Sequence, residues 1–451
     1  MANVIKLHKG LTIKLKGVAK PETGRLGPAE VYGICPDDFE GLKPKVVVRE
    51  GDQVKAGDEL FVNKAFPEVK YCSPISGTVK AVVRGERRKV MAVEITPTEK
   101  IEYRDFGVKD VEALTAEEMK ALLLERGLFG QFRQLPYDVC ATPDATPKGI
   151  FISAFRDMPL AADFSYELEG NEKDFATGLQ ALAKLAPTHL SFHKQQASLI
   201  RQFKGGSYQV HVFDGECPAG NTSVQINHID PVNKGEVVWM VDPMVVVFIG
   251  RLLNEGKYDV RRRIAVVGSC VTSAGYVETL PGNTMQHLLE GNLVRTDHVR
   301  IINGNPLVGK QSSLQGYLSA SVSEVTVIPE GDNVNEVLGW IMPRSKQISF
   351  SRTYLPWLLS HSRKYDVDAR IKGGQRHMIM SGEYDRVFPM DIYPEYLIKA
   401  IIAGDIDRQE QLGIYEVTPQ DFAVAEFLCS SKMELQRIVR EGLDKLRKEN
   451  Q

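Results

Sequence analysis

One short stretch constrains the fold of this chain more than any other. Residues 51–79 read GDQVKAGDELFVNKAFPEVKYCSPISGTV, with two Gly-Asp pairs and a Ser-Gly pair between short apolar runs. Gly51 and Gly57 supply the backbone freedom that a tight crossover between strands requires. Strands are expected at Val46–Val48, Glu59–Val62, Thr78–Val83 and Val90–Ile95. The pattern therefore predicts a β-rich domain over residues 1–100.

The same stretch resembles the barrel-sandwich hybrid on which lipoyl and biotinyl carriers hold their cofactor. Lys64 falls close to the attachment lysine of those carriers. Three features argue against modification of Lys64. Asn63 stands where lipoyl carriers usually have an acidic residue, and the segment from Lys64 to Pro74 is longer than in the carriers. Pro67 has no backbone N–H to donate to a neighbouring strand where the return strand should pair. We expect an unmodified, solvent-facing Lys64. A lipoyl-type carrier protein is the alternative, and it depends on this lysine alone.

Length and charge narrow the class of protein. A chain of 451 residues is too long for one core and predicts three or four domains. The formal net charge of −2 gives no basic field for nucleic acid. The longest apolar run, Met244–Gly250, is far shorter than the roughly 20 residues that span a bilayer. With no apolar block after the first basic residues, we expect a soluble chain without a secretion signal.

Cysteine and histidine spacing argues against a local metal site. The six cysteines are scattered singly, without a CxxC pair, which excludes zinc-ribbon spacing and argues against a local iron–sulfur motif. His193, His211, His228, His287 and His298 form no HxH, HExxH or i, i+4 pair with one another. Cys217, in DGECPAG, has no second cysteine near it in sequence and is interpreted as part of a turn. We expect reduced, structural thiols and no metal site.

Beyond residue 110 the sequence pattern predicts alternating strands and helices. Thr115 and Glu118 form a capping box that opens a helix through Leu124. Further strands are expected at Gly149–Ala154, Tyr208–Phe213, Arg263–Gly268 and Val325–Pro329, and helices at Glu172–Leu185, Met244–Leu253 and Ser430–Lys448. This order predicts an α/β domain over 101–256, an α+β domain over 257–332 and a helical domain over 333–451.

The loop RGLFGQFRQLP, residues 126–136, contains two glycines that could form a phosphate-binding nest. Gly127 and Gly130 are, however, separated and followed by bulky side chains, which would block a close approach of a phosphate. We interpret the loop as a helix end followed by an aromatic plug. No GxGxxG, Walker A or GxSxG motif occurs elsewhere in the sequence.

Two aromatic segments near the C-terminus, 350–359 and 383–397, are the remaining candidates for a functional surface. They combine aromatic residues with proline, methionine and charged groups, a composition enriched at interfaces and in pockets for flat ligands. Packing of a proline-rich connection onto helices explains the composition equally well. The candidate interface or quinone-contact residues are Tyr354, Trp357, Phe388, Tyr393 and Tyr396.

Several phrases together resemble one protein family over nearly the whole chain. They are IKLHKGLTIKLKG (5–17), KVVVREGDQVKAGDELF (45–61), SPISGTVKAV (73–82), DMPLAAD (157–163), GEYDRVFPMDIYP (382–394) and FLCSSKMELQRIVREGL (427–443). The sequence is similar to the A subunits of sodium-translocating NADH:quinone oxidoreductases. It also resembles the flavin-bearing, NADH-oxidising subunit of respiratory complex I and the Rnf C subunit.

This resemblance implies a fold and a role. It implies a biotinyl-like barrel-sandwich hybrid, a Rossmann-like α/β domain, a β-grasp domain and a C-terminal helical domain. Compared with the flavin-bearing relatives, the glycine loop has lost most of its backbone donors and Arg156-Asp157-Met158-Pro159 replaces an acidic stretch. The cluster-binding cysteines are reduced to Cys429, and one thiolate cannot hold a [4Fe–4S] cluster.

The resemblance further implies a translocase subunit without a complete catalytic site. It would lie peripherally on the cytoplasmic side of the bacterial inner membrane and bind five partner subunits, B to F. It would bind no cofactor itself, because NADH, flavins, iron–sulfur centres and quinone act through other subunits, although quinone is a candidate ligand. The alternative is an Rnf C-like flavin and iron–sulfur electron-transfer subunit.

Overall fold

The computed structural model describes residues 4–334, 347–348 and 363–450. The N-terminal part is built from strands joined by turns and short 3-10 segments. Its strands are β1 (Val4–Lys6), β2 (Thr23–Gly24), β3 (Tyr32–Ile34), β4 (Pro44–Val46), β5 (Gln53–Val54), β6 (Glu59–Asn63), β7 (Lys70–Cys72), β8 (Gly77–Arg84) and β9 (Val90–Pro97). Two antiparallel sheets, β3-β9-β8-β5 and β4-β6-β7, enclose buried residues that include Leu60, Phe61, Val79 and Val93. The strands expected from the sequence around β6, β8 and β9 are confirmed.

The first two strands belong to other sheets. β1 pairs in parallel with β14 (Gln209–Asp214), and β2 pairs in parallel with β17 (Gly275–Thr279). The sequence analysis placed this N-terminal segment within the first domain. In the structure, β1 is an edge strand of the sheet of the second unit, and β2 is an edge strand of the sheet of the third unit. The position of such short strands depends on the strand with which they pair more than on their own sequence.

The second unit alternates strands and helices. Its elements are α1 (Ala116–Glu125), β10 (Arg133–Leu135), β11 (Val139–Cys140), β12 (Ile150–Ser153), α2 (Phe164–Leu168), α3 (Glu172–Leu185), β13 (Thr188–His193), α4 (Ala197–Gln202), β14, α5 (Thr222–Ile229), β15 (Val238–Met240) and α6 (Pro243–Glu255). The sheet order is β1-β14-β13-β12-β15-β10-β11, parallel from β1 to β15 and antiparallel beyond it. The predicted capping box at Thr115 and the predicted helix at Glu172–Leu185 are confirmed.

Helices α3 and α6 pack closely through two glycines. A Cβ on Gly178 would overlap the Val246 carbonyl oxygen, and a Cβ on Gly250 would overlap the Asp174 carbonyl oxygen. Each glycine therefore lets the backbone of one helix approach the other. This contact keeps the apolar helix α6 buried beneath the sheet.

The third unit is a mixed sheet with one helix against it. It comprises β16 (Arg262–Val267), β17, α7 (Met285–Leu289), β18 (Val299–Asn303), β19 (Lys310–Ser312) and β20 (Glu324–Pro329), in the sheet order β19-β18-β20-β16-β17-β2. Met285 and Leu288 of α7 share an apolar cluster with Ile264, Ile301 and Val325 of the strands.

The C-terminal region is helical. Its described α-helices are α8 (Pro394–Ala403), α9 (Ile406–Gln411), α10 (Ala423–Leu428) and α11 (Leu435–Glu449). Their core includes Phe388, Phe422 and Leu443 together with Cys217 and Val224 of the α/β unit, so the two units share buried surface. Within the described residues, the structure contains no helix both long and apolar enough to cross a membrane.

Candidate functional site

A polar cleft lies at the position in the α/β sheet where the order of the strands reverses, between β12 and β15. Strands β12, β13 and β14 follow one another outward from the middle of the sheet, whereas β15 lies on the other side of β12. Open α/β sheets bind ligands at such a point, beyond the carboxyl ends of the strands. A cavity of about 360 Å³ is found there, lined by residues that follow β12 and β15 and by residues of the third unit.

Arg156 is the central charged group of this cleft. Its guanidinium donates to the carboxylate of Glu167 at 2.5 Å and to that of Asp242 at 3.2 Å. The Glu167 side chain is completely buried, and Asp242 also caps α6 by accepting the backbone N–H of Met244 at 2.8 Å. Burial raises the pKa of Glu167, and neighbouring Arg156 opposes that rise. Arg156 therefore pairs with one carboxylate that is completely buried, Glu167, and with one that is 36% exposed, Asp242.

The third unit completes the charge network. Glu324, at the start of β20, accepts the backbone N–H of Ala162 at 3.1 Å, and Arg262 donates to the Ser319 carbonyl at 3.1 Å. Burial raises the pKa of Glu324 and lowers the pKa of Arg262. Both residues line the cavity that follows β12. The cleft is thus a contact between two structural units that contains charges of both signs.

Carboxylates of the protein occupy the donors around the N-terminus of α5. Asp157 accepts the backbone N–H of Gly220 at 2.7 Å, and the missing side chain of Gly220 permits this approach. Asp421 of the C-terminal region accepts the Asn221 amide at 2.8 Å and the Ser223 hydroxyl at 2.6 Å. The Gly220 N–H and the side-chain donors of Asn221 and Ser223 are therefore occupied by carboxylates of the protein itself.

The glycine loop of residues 126–136 is filled as well. A Cβ on Gly130 would lie 2.8 Å from the Tyr71 ring, and one on Gly127 would overlap the Cys72 sulfur, so the barrel packs directly on this loop. Phe129 and Phe132 are fully buried, with ring centroids 5.2 and 5.9 Å from Trp239. Phe129 and Phe132 thus form a buried aromatic cluster with Trp239, whereas Gln131 and Arg133 of the same loop line the polar cleft.

Cys429 is part of the apolar core of the C-terminal region. Its side chain is buried, and its sulfur lies 2.9 Å from the Tyr384 hydroxyl and 3.4 Å from the backbone N of Met433. None of the six cysteines is in a disulfide. Across residues 4–334 and the other described segments, no group of three or more His, Cys, Asp or Glu side chains could hold a metal ion.

Lys64 lies in the connection between β6 and β7. Its side chain is exposed, and its backbone N–H donates to the Lys43 carbonyl at 2.8 Å. The Asn63 amide oxygen accepts the backbone N–H of Ala65 at 3.0 Å. The side chain that replaces the carriers' acidic residue therefore orders the connection locally. That Lys64 carries no lipoyl or biotinyl group stays a prediction.

The aromatic candidates of the C-terminal region fall into three groups. Tyr354 and Trp357 lie outside the described residues. Phe388 is completely buried, with its ring centroid 4.8 Å from that of Phe422, so the expectation that it contacts a partner directly is corrected. Tyr393 and Tyr396 are 67% and 59% exposed, with ring centroids 6.1 Å apart. The two tyrosines form a small exposed aromatic patch at the start of α8.

The charge network was not predicted from the sequence. Arg156, Glu167, Asp242, Arg262 and Glu324 come from five separate elements, and only the fold brings them together. A weak signal was present, since Arg156 and Asp157 follow the strand β12 and Asp242 follows β15. Polar residues directly after buried parallel strands meet at one edge of the sheet.

A pH-dependence of stability is expected from Asp157. Burial raises the pKa of this carboxyl from 3.8 to about 6, despite the donors at Gly220. A raised pKa means that its contribution to stability is fully present below about pH 4 and is lost as the pH rises through 6. Asp157→Asn keeps an acceptor for Gly220 but does not titrate. When the pH rises from 4 to 7, the free energy of unfolding of the parent should fall. The fall should be smaller by about 3 kcal/mol in the variant.

Urea unfolding at several pH values in this range measures that difference. Asp144→Asn, which changes an exposed carboxylate in a loop, is the matched control for the altered charge. If the parent and Asp157→Asn lose stability in parallel, the carboxyl of Asp157 does not titrate in this range and the expectation is wrong.

Comparison with known proteins defines the class and then the family. Residues 5–98 match the NqrA N-terminal barrel-sandwich hybrid domain, residues 114–258 the NqrA second alpha/beta domain, and residues 263–313 the NQRA C-terminal domain. The chain is thus a multidomain α/β protein with an N-terminal barrel-sandwich hybrid and a helical C-terminal region, as the sequence predicted.

Curated relatives extend the match to the full chain. The A subunit of the Na⁺-translocating NADH-quinone reductase of Neisseria meningitidis serogroup B is 32% identical over 99% of this chain and 100% of the relative. The corresponding subunit of Haemophilus influenzae strain PittGG is 33% identical over the same shares. The chain therefore belongs to the family of A subunits of Na⁺-translocating NADH-quinone reductases, and the resemblance inferred from the sequence is confirmed.

Among solved structures, an air-oxidized NAD⁺-reducing [NiFe]-hydrogenase covers 77% of this chain and 66% of its own, at 10% identity and a TM-score of 0.37. A likeness of this strength carries no argument about fold or function.

Proposed function

We propose that this chain is a peripheral subunit of a complex that oxidises NADH, reduces quinone and exports Na⁺. Its place is on the cytoplasmic side of the bacterial inner membrane, with subunits B to F as partners. The observation that carries this proposal is the full-length similarity to the A subunits of Na⁺-translocating NADH-quinone reductases. The chain contributes to assembly, and the redox cofactors are bound by other subunits.

The filled glycine loop supports the absence of a flavin on this chain. Phe129 and Phe132 occupy the loop from within, and Tyr71 packs on Gly130 from outside. Asp157 and Asp421 take the donors at the start of α5. An Rnf C-like flavin and iron–sulfur subunit would need phosphate donors and cluster ligands that these contacts occupy or that the sequence lacks.

Two finer assignments of fold belong to this proposal. The order β14-β13-β12-β15 equals 3-2-1-4 in chain order, which supports a Rossmann-like α/β domain. The packing of α7 on the mixed sheet of β16 to β20 supports a β-grasp domain. Both scaffolds persist here without the ligand groups that such folds often hold.

Affinity purification from detergent-solubilised membranes with the full chain as bait tests the proposed function. Recovery of the other subunits of the reductase is expected. Recovery of a 2-oxo acid dehydrogenase would instead support the carrier alternative. Flavin and iron–sulfur absorbance in the purified chain would support the Rnf C-like alternative.

We assign the docking of partner subunits to the exposed patch of Tyr393 and Tyr396. Contact with quinone is a second candidate role of this region. Exposed tyrosines are over-represented among interface residues that dominate binding. Tyr393→Ala combined with Tyr396→Ala should leave the free energy of unfolding within about 0.5 kcal/mol of the parent. Retention of partner subunits should fall about ten-fold or more, because such anchors contribute about 2 kcal/mol.

Co-purification yield at matched bait concentration measures this loss. Val108→Ser combined with Val294→Ser removes comparably exposed apolar side chains elsewhere, 66% and 64% exposed, and should retain the partners. Full retention by the tyrosine variant would contradict the docking assignment.

A further inference from the structure

The hairpin of β8 and β9 ends in a basic turn. We define the hairpin tip as residues 83–91, VRGERRKVM. It contains four cationic side chains and one acidic one, and every residue from 83 to 89 is exposed. Close to the tip, the described strands pair only with each other, as Arg84 with Val90 and Val83 with Ala92. The tip is therefore a narrow projection from the barrel.

Three of the four cations of the tip, Arg84, Arg87 and Arg88, form no ion pair with a carboxylate of the described residues. Lys89 pairs with Asp37 at 2.6 Å, and the Arg84 guanidinium donates to the Arg88 carbonyl at 3.2 Å. In the part of the chain that the structure describes, no carboxylate forms an ion pair with Arg87 or Arg88. Both guanidinium groups are thus available to an external anion.

The backbone at these two arginines is in an unfavourable conformation. Arg87 and Arg88 have φ angles of 53° and 62°, and the Lys89 N–H donates to the Glu86 carbonyl at 3.0 Å. Positive φ at both central residues makes this a type I′ turn, for which Asn-Gly is strongly preferred. Two arginines occupy positions where local stability favours asparagine and glycine. Such a departure from the turn's preference indicates that the charges serve another purpose.

Apolar side chains flank the charges. Val83 is 37% exposed and Met91 is 42% exposed, each one residue from the end of its strand. Cationic groups beside exposed apolar groups suit the boundary between lipid headgroups and acyl chains. A stable protein interface, by contrast, needs about 1,000 Å² of buried surface, more than the nine-residue hairpin tip can supply alone.

We propose that the hairpin tip rests on a membrane surface that carries anionic phospholipids. Arg87 and Arg88 bind headgroup phosphates, and Val83 and Met91 enter the interfacial layer. The proposal deepens the proposed function, since it gives a membrane-associated subunit its own contact with lipid. Its test is independent of partner subunits, so its failure is distinguishable from failure of the proposed function.

Co-sedimentation of the purified full-length chain with lipid vesicles tests the proposal. Vesicles of equal parts phosphatidylglycerol and phosphatidylcholine should bind the chain in low salt, and vesicles of phosphatidylcholine alone should bind it far less. Arg87→Asn combined with Arg88→Gly should lower the partition coefficient about 30-fold, because each basic residue near an anionic surface contributes about five-fold. This variant suits the type I′ turn, so its melting temperature should equal or exceed that of the parent.

Arg201→Gln combined with Lys204→Gln removes two exposed cations from the α/β unit and is the control for net charge. It should bind the anionic vesicles nearly as well as the parent. Equal loss in both double variants would overturn the proposal, because binding would then follow net charge alone. Unchanged vesicle binding by the turn variant, with weakened retention of partner subunits, would also overturn it and assign the tip to an acidic protein surface.

Discussion

Replacing Arg156 with methionine is expected to lower the free energy of unfolding by about 3–5 kcal/mol near pH 8. The guanidinium now pairs with Glu167 and Asp242, and the Glu167 side chain is completely buried. Without Arg156, Glu167 must either remain charged without a partner or take up a proton, and both cost free energy. Urea unfolding followed by far-UV circular dichroism measures the loss.

The pH-dependence of this loss separates electrostatics from packing. Because a protonated Glu167 needs no cation, the destabilisation should shrink at pH 5. Arg156→Met combined with Glu167→Leu removes both charges and should recover most of the lost stability. Arg408→Met, which breaks an exposed pair with Asp405 at 74% and 40% side-chain exposure, should cost less than about 1 kcal/mol. An equal loss at both pH values, or no recovery in the double variant, would contradict the electrostatic explanation.

Replacing Phe388 with alanine is expected to destabilise the C-terminal region by about 3–5 kcal/mol. The ring is completely buried against Phe422 and shares a core with Leu397 and Leu443. Truncation leaves a cavity that the surrounding helices can fill only in part. Thermal and urea unfolding of the full chain measure the effect.

Phe388→Leu is the matched control, because it keeps most of the apolar volume and should cost clearly less than alanine. Any assembly defect of Phe388→Ala should follow its loss of stability and be reduced at lower temperature. The tyrosine variant described above should show the opposite behaviour, with normal stability and poor retention of partners. A stable Phe388→Ala chain that failed to assemble would return Phe388 to the interface.

Local patterns in the sequence predicted many individual elements correctly. The capping box at Thr115 and Glu118 formed as expected, because its two hydrogen bonds join residues three positions apart. Helix α3 occupies the predicted residues, since its apolar spacing and its neighbours in sequence are sufficient to specify a helix. The aromatic residues of the glycine loop, Phe129 and Phe132, are buried, and their bulk beside Gly130 is visible in the sequence itself; that the loop binds no phosphate stays a prediction.

Contacts between residues that lie far apart in the sequence could not be predicted from such local patterns. The composition of segment 383–397 could not separate Phe388, which is buried, from Tyr393 and Tyr396, which are exposed. The N-terminal strands β1 and β2 looked like parts of the first domain, yet they pair with β14 and β17, more than 200 residues away. Burial and strand pairing depend on what the rest of the chain places nearby.

The sequence by itself therefore determined the β-rich start, the α/β middle, the helical end and the family, because these rest on periodicity, turn residues and motifs within short segments. Only the tertiary structure decided that Asp157 and Asp421 fill the donors around α5 and that Arg156 joins Glu167 and Asp242. The physical reason is distance along the chain. The free energy of a buried charge is set by its spatial neighbours, and those neighbours can lie far away in the sequence, as Asn221 lies 200 residues from Asp421.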